Sequence, residues 1–127
     1  IVHALLGLRD KETLLGHPVV GSSWEGFVIE TLLAVAPLET EASFYRTAAG
    51  AEIDLVLSLP GGRRWAVEIK RGLVPKLERG FHQACADLQP ERCFVVYAGA
   101  ERFPVGESTE AISLTDLGGI LLATAAS

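Results

Sequence analysis

Residues 51–71 read AEIDLVLSLPGGRRWAVEIKR, a pattern that predicts two β-strands joined by a tight turn at Pro60-Gly61-Gly62. Side chains along a strand alternate between its two faces. Sorted by alternation, Ile53, Leu55, Leu57 and Leu59 with Trp65, Val67 and Ile69 form one wholly apolar set, expected against a core. Asp54, Val56 and Ser58 with Ala66, Glu68 and Lys70 form the other set, free to gather around something polar. A loop of three or five residues puts Asp54 directly opposite Glu68. Carboxylates so placed repel one another, and a plain hairpin does not require them. A divalent cation between them removes the conflict, with Lys70 sharing the face. The alternative is a wet outer face on which Lys70 makes an ordinary salt bridge to Asp54 or Glu68.

Charge is concentrated around this hairpin. The 127-residue chain has a net charge of −5, which argues against gripping nucleic acid by charge alone. Between Pro60 and Gly80, however, six basic residues (Arg63, Arg64, Lys70, Arg71, Lys76, Arg79) face two acids, Glu68 and Glu78. Phosphate would be welcome there, although such a run also suits a solvated face.

On the N-terminal side, residues 21–36 (GSSWEGFVIETLLAVA) predict an amphipathic helix. Ser22 followed three residues later by Glu25 is a capping-box pattern, so Glu25 has a structural explanation of its own. Pro37 ends the helix. Ile1 to Leu15 predicts one or two short helices. Ala42 to Thr47, with Phe44, Tyr45 and Arg46, reads as a strand, which gives an antiparallel three-strand meander with the hairpin. On the C-terminal side a helix is expected from Pro75 through Leu88 and a buried strand over Arg92 to Ala98. Strand, helix and strand then form a right-handed crossover with parallel strands. A last strand at Ala111 to Leu114, a helix capped by Thr115 or Asp116, and a frayed tail from Ala123 complete the chain. The fold class is therefore α/β (α+β, mixed sheet) with helices on both faces.

Several function classes are excluded by composition. No apolar run approaches the roughly 20 residues that span a bilayer, and no secretory signal is visible, so the expected location is cytoplasmic without membrane contact. Cys85 and Cys93 lack zinc-site spacing and are expected as reduced core residues. His3, His17 and His82 are scattered. No serine or cysteine has the surroundings of a nucleophile. The chain holds no methionine and is expected to be a piece of a longer protein. Exposed strand edges leave a homo-oligomer open.

Asp54, thirteen residues, then Glu68-Ile69-Lys70 resembles the D…(D/E)xK signature of the PD-(D/E)XK nuclease superfamily, the restriction-endonuclease-like fold. Ile53 stands where the superfamily's name has proline. In that resemblance Glu25 matches the helix acid, Asp54 the strand acid, Glu68 and Lys70 the (D/E)xK pair, and Gln83 a polar residue of the crossover helix. More closely, HALLG, LLGHPVVGSSWEGFVIETLL, FYRTAAGAEIDLVL and WAVEIKRG resemble the C-terminal domain of an uncharacterised family of prokaryotic AAA-type ATPases. The resemblance covers nearly the whole chain. It implies catalytic residues Glu25, Asp54, Glu68 and Lys70, with Mg²⁺ or Mn²⁺ held by Asp54, Glu68, the Ile69 carbonyl and Glu25. Arg63, Arg64, Arg71, Lys76 and Gln83 would bind phosphate, and Arg46 and Tyr45 could reach it, unless Tyr45 is packed. ATP would be bound only by the preceding ATPase domain, since no GxxxxGK[ST] loop is present here. The implied function is a metal-dependent nuclease acting on DNA. The alternative is a catalytically inactive DNA- or protein-binding regulatory module of the same ATPase.

Overall fold

The computed structural model describes residues 2–4, 14–17, 23–106 and 108–126. Eight strands and three helices occur among them. In chain order these are β1 (Val2–Ala4), β2 (Leu14–Gly16), α1 (Trp24–Val35), β3 (Glu41–Arg46), β4 (Glu52–Leu59), β5 (Arg63–Ile69), α2 (Arg79–Leu88), β6 (Arg92–Val96), β7 (Phe103–Pro104), β8 (Thr109–Ile112) and α3 (Leu114–Ala126). The strands form one mixed sheet in the order β1-β2-β3-β4-β5-β6-β8-β7.

The hairpin sits at the centre of this sheet. Leu59 pairs with Arg63, so the loop is the three residues Pro60-Gly61-Gly62. Gly61 and Gly62 have φ of 88° and 78°, left-handed values that glycine adopts without steric penalty. β3, β4 and β5 form the expected antiparallel meander. β5 and β6 are parallel across α2, as the crossover requires. β6 and β8 are also parallel.

Both faces of the sheet are covered. Leu55, Leu57, Leu59, Trp65, Val67, Phe94, Val96 and Ile112 pack with Val28, Ile29 and Leu32 of α1 and Leu117 and Leu121 of α3. On the other face Tyr45, Ile53, Val56, Ala66 and Cys93 pack with Phe81 and Ala84 of α2. Burial of this apolar surface is the main drive to fold. Val56 and Ala66 are fully buried, so the second face of the hairpin is dry in its middle, with Ser58 and Arg64 half-buried at the turn end and Asp54 and Lys70 half-buried at the other.

Strict alternation fails at one point. Ser43 pairs with Val56 but Tyr45 pairs with Ile53, which leaves an extra residue in β4. This β-bulge at Asp54-Leu55 moves Ile53 to the α2 face, while Leu55 stays on the α1 face. The β4–β5 register accordingly stops at Leu55 with Val67, short of the Asp54–Glu68 pairing expected from a three-residue loop.

Four other expectations are corrected. The N-terminal stretch contributes strands β1 and β2 in place of helices, because the free edge of β3 offers backbone partners that β2 takes; residues 5–13 lie outside the described residues. The cap of α1 is Ser23, whose Oγ accepts from Gly26 N at 3.1 Å. Ser22 lies outside the described residues, and Glu25, only two residues past the cap, is not in the reciprocal capping-box position. α2 begins at Arg79, not near Pro75. Leu73 and Val74 are 72% and 73% exposed, so residues 71–78 have no apolar stripe to hold a helical turn. Last, Ser113 rather than Thr115 or Asp116 caps α3, its Oγ accepting from Asp116 N at 3.0 Å. The helix continues to Ala126 in place of a frayed tail, its inner side held by Leu117 and Leu121 in the core.

Candidate active site

The far end of the hairpin from its turn gathers the residues that the D…(D/E)xK pattern singles out. Where the bulge interrupts the β4–β5 ladder, the Ile69 N–H has lost a backbone acceptor on β4. Asp54 Oδ2 takes its place, accepting from Ile69 N at 2.9 Å. The neighbouring Lys70 N–H points the other way and donates to Val96 O at 2.8 Å. Lys70 O in turn accepts from the Trp24 indole Nε1 at 3.0 Å. The start of α1 is thereby tied to the end of β5, and Glu25 is brought within the field of Asp54. Trp24 is not singled out by the sequence beyond its place in the amphipathic helix of residues 21–36. Its indole N–H, which needs an acceptor when buried, is the available signal.

Glu68 is 8% exposed, and its Oε1 has no hydrogen-bond partner. Burial, the Asp54 carboxylate beside it and a hydrogen bond shared with Asp54 push its pKa up to about 8, against the pull of Lys70. Lys70 Nζ lies 3.6 Å from Glu68 Oε2 and 3.6 Å from Glu78 Oε2. Glu78, the N-cap residue of α2, is an acid that the sequence pattern does not single out. Glu25 is exposed on α1; its pKa is raised by partial burial first and by Asp54 next.

The proposed phosphate contacts divide by position. Arg71 and Lys76 are exposed in the segment that directly follows Lys70. Arg63 and Arg64 begin β5 and stand at its opposite end, roughly 16 and 13 Å from Glu68 at about 3.3 Å per residue. Arg63 is also engaged, its Nε 2.9 Å from Glu91 Oε1. Gln83 is exposed on α2 and lines a hollow with Thr47, Gly50 and Asp87 beside the β3–β4 turn. Tyr45 is packed at 2% exposure and donates to Asp87 Oδ2 at 3.0 Å. Arg46 is exposed and pairs with Glu52 at 3.5 Å.

Asp54 and Glu68 offer hard carboxylate oxygens, one of them without a partner, which suit Mg²⁺ or Mn²⁺. Among the described residues no group of three or more His, Cys, Asp or Glu side chains converges closely enough to hold a metal ion. One or two carboxylates, completed by water and substrate phosphate oxygens, are nevertheless the usual protein share of a Mg²⁺ site. The donor set therefore fits.

Comparison with known proteins places the chain in a family. The family described as "Domain of unknown function (DUF4143)" matches residues 20–117. The chain belongs to the DUF4143 family. Two uncharacterised proteins, one from Mycobacterium tuberculosis and one from Mycobacterium bovis, are each 41% identical to it over 113 residues. The match covers 88% of this chain and 25% of each relative, so the chain spans about a quarter of the length of the curated relatives it matches. No solved structure matches it. The matched residues of this DUF4143 domain run from before α1 into α3 and include Glu25, Asp54, Glu68 and Lys70. Among the described residues no helix is long and apolar enough to cross a membrane.

Proposed function

We propose that this DUF4143 domain is a divalent-metal-dependent phosphodiesterase of the PD-(D/E)XK, restriction-endonuclease-like kind, acting on DNA as the partner of an AAA-type ATPase domain in the same protein. One observation carries the reading: Glu68 is buried beside Asp54 with an unpartnered carboxylate oxygen, and Lys70 adjoins the pair. A fold needs no such arrangement, because it spends stability on two acids that repel. Catalytic sites use that kind of perturbation.

Asp54 and Glu68 would hold Mg²⁺ or Mn²⁺, with Ile69 O and Glu25 as further oxygen donors. When bound, the cation polarises the scissile phosphate and offsets its charge. Lys70 positions the attacking water and stabilises the negative charge that grows on the phosphoryl oxygens. Its partner Glu78 is largely exposed at 66%, so Lys70 can turn from it towards substrate at little cost. Arg71 and Lys76 hold backbone phosphates beside the site, which positions DNA without reading its sequence. Arg63 and Arg64 stand too far along β5 to share that contact.

The competing reading is a catalytically inactive DNA- or protein-binding module of the same ATPase. It draws on the double ion pairing of Lys70, which offsets part of the site's charge without any metal. Incubating the full protein with plasmid and single-stranded DNA in Mg²⁺ or Mn²⁺ separates the two. Cleavage that Asp54→Asn and Lys70→Ala remove supports the nuclease. Cleavage that persists unchanged in both variants sinks the proposed site, and binding without cleavage under every condition favours the inactive module.

A further inference from the structure

On the face covered by α2, within the field of Glu68, the two cysteines of the chain meet. Cys85 projects from α2 and Cys93 from β6, eight residues apart in sequence, with their Sγ atoms 3.5 Å apart in an S–H···S contact. Both thiols are free. The sulfur atoms are separated by about 1.5 Å more than a disulfide bond requires, a distance within reach of small side-chain rotations. A cavity of about 640 Å³ opens onto them, lined by both cysteines with His82, Gln89, Ser108 and Thr109. Cys93 is 8% exposed and Cys85 more so, so the pair is shielded from bulk solvent yet open to a small molecule entering the cavity.

We propose that Cys85 and Cys93 form a reversible disulfide, a modification site whose oxidant is a small hydroperoxide such as hydrogen peroxide. One thiolate attacks a peroxide oxygen, the O–O bond breaks, and with one proton the leaving oxygen departs as water. The attacking cysteine is then a sulfenic acid. The second thiol attacks that sulfur, the S–O bond breaks, and its proton leaves with the oxygen as a second water. In sum, two thiols and one peroxide give one disulfide and two waters. Cys93 is the natural first nucleophile. The Cys85 thiol and then the Thr109 hydroxyl hold its pKa below the ordinary thiol range against burial, whereas the contact with Cys93 raises that of Cys85. The new bond closes a short loop and fastens the second half of α2 to β6. In a reducing compartment it would form only transiently, as a response to oxidant.

The test does not depend on nuclease activity. The reduced protein is treated with hydrogen peroxide, alkylated and digested with trypsin. Cleavage after Arg79, Arg92 and Arg102 separates the two cysteines into peptides 80–92 and 93–102. The expected result is a monomer lighter by about 2 Da, with no alkylated cysteine, peptides 80–92 and 93–102 joined, and recovery of both thiols with dithiothreitol. Cys85→Ser and Cys93→Ser, each a small polar replacement, should each abolish the joined pair. Two cysteines that stay alkylatable after peroxide treatment would overturn the proposal. So would oxidation that ends at sulfinic acid or in disulfides between molecules.

Discussion

At the turn end of β5, Glu91 accepts from Trp65 Nε1 at 2.8 Å and from Arg63 Nε at 2.9 Å, and these bonds, the first above all, lower its pKa. Arg92 stacks over the Trp65 and Phe94 rings at 5.2 and 4.9 Å. Glu91 there has partners that favour its ionised form. At the other end of the same strand Glu68 is buried next to a like charge, its pKa is pushed up to about 8, and one oxygen is unpartnered. The first arrangement is what a strand end needs to be stable. The second holds a group against its preference, which makes sense if something else completes it. Basic residues flank both ends, so charge in the sequence does not separate the two; burial and partnering do.

That contrast is broken most sharply by activity. If the far end is catalytic, Lys70→Ala and Asp54→Asn should each lower DNA cleavage by roughly 10²–10³-fold or more, in the range found when a group stabilising transition-state charge is removed. Arg63→Ala should change it little. Asp54→Asn is the more informative of the two, because its amide oxygen can still accept from Ile69 N and keep the strand end in place. Equal losses from Arg63→Ala and Lys70→Ala, measured as initial rates on plasmid, would erase the distinction.

Stability should respond in the opposite sense. A carboxyl whose folded pKa is raised holds a proton that the unfolded chain releases. Its contribution is thus full below the unfolded value of 4.5 and is lost as pH rises towards about 8. Glu68→Gln should remove that decline and stabilise the protein at pH 8 by on the order of 2 kcal/mol, after allowance for local relaxation. Denaturant midpoints of both proteins at pH 5 and pH 8 test this. Mg²⁺ or Mn²⁺ should raise the midpoint of the parent protein by mass action and leave that of Glu68→Gln nearly unmoved.

Much of the far end is legible in the sequence alone. The spacing from Asp54 to Glu68 and Lys70, the Pro60-Gly61-Gly62 turn and the parallel crossover through α2 all follow from local pattern. The bulge at Asp54-Leu55 does not. An extra residue in a strand is set by how Tyr45 and Ile53 pack beneath α2, and alternation carries no mark of it. Alternation likewise makes the hairpin's second face polar throughout, although Val56 and Ala66 are buried. The phosphate assignments to Arg63 and Arg64 rest on charge density along the chain, which ignores the length of an extended strand. Glu78 escapes notice because a salt bridge from Lys70 across a loop leaves no periodicity to detect.

A smaller effect belongs to the joint between α1 and β5. Trp24→Phe keeps most of the buried ring but removes the bond from Nε1 to Lys70 O. A loss of about 1 kcal/mol is expected, together with a larger proportional drop in cleavage if this bond fixes Lys70. A drop in stability with cleavage unchanged would show that the joint serves the fold alone.

The smallest effect is expected at Glu91. Glu91→Gln can still accept from Trp65 Nε1 and loses only the ionic part of an exposed pair, so the change at pH 7 should stay below about 1 kcal/mol. The sign of its pH dependence is the reverse of that at Glu68. A carboxylate with a lowered pKa contributes above its unfolded value of 4.5 and loses that contribution as pH falls through the folded value. The difference between variant and parent should therefore change with pH in separate windows, between pH 4.5 and about 8 for Glu68→Gln and only below 4.5 for Glu91→Gln. Unfolding midpoints followed from pH 3 to pH 9 should show the two windows without overlap. If the Glu91→Gln difference instead varied across neutral pH, the turn end would be holding a strained charge too, and burial beside Asp54 would no longer distinguish Glu68.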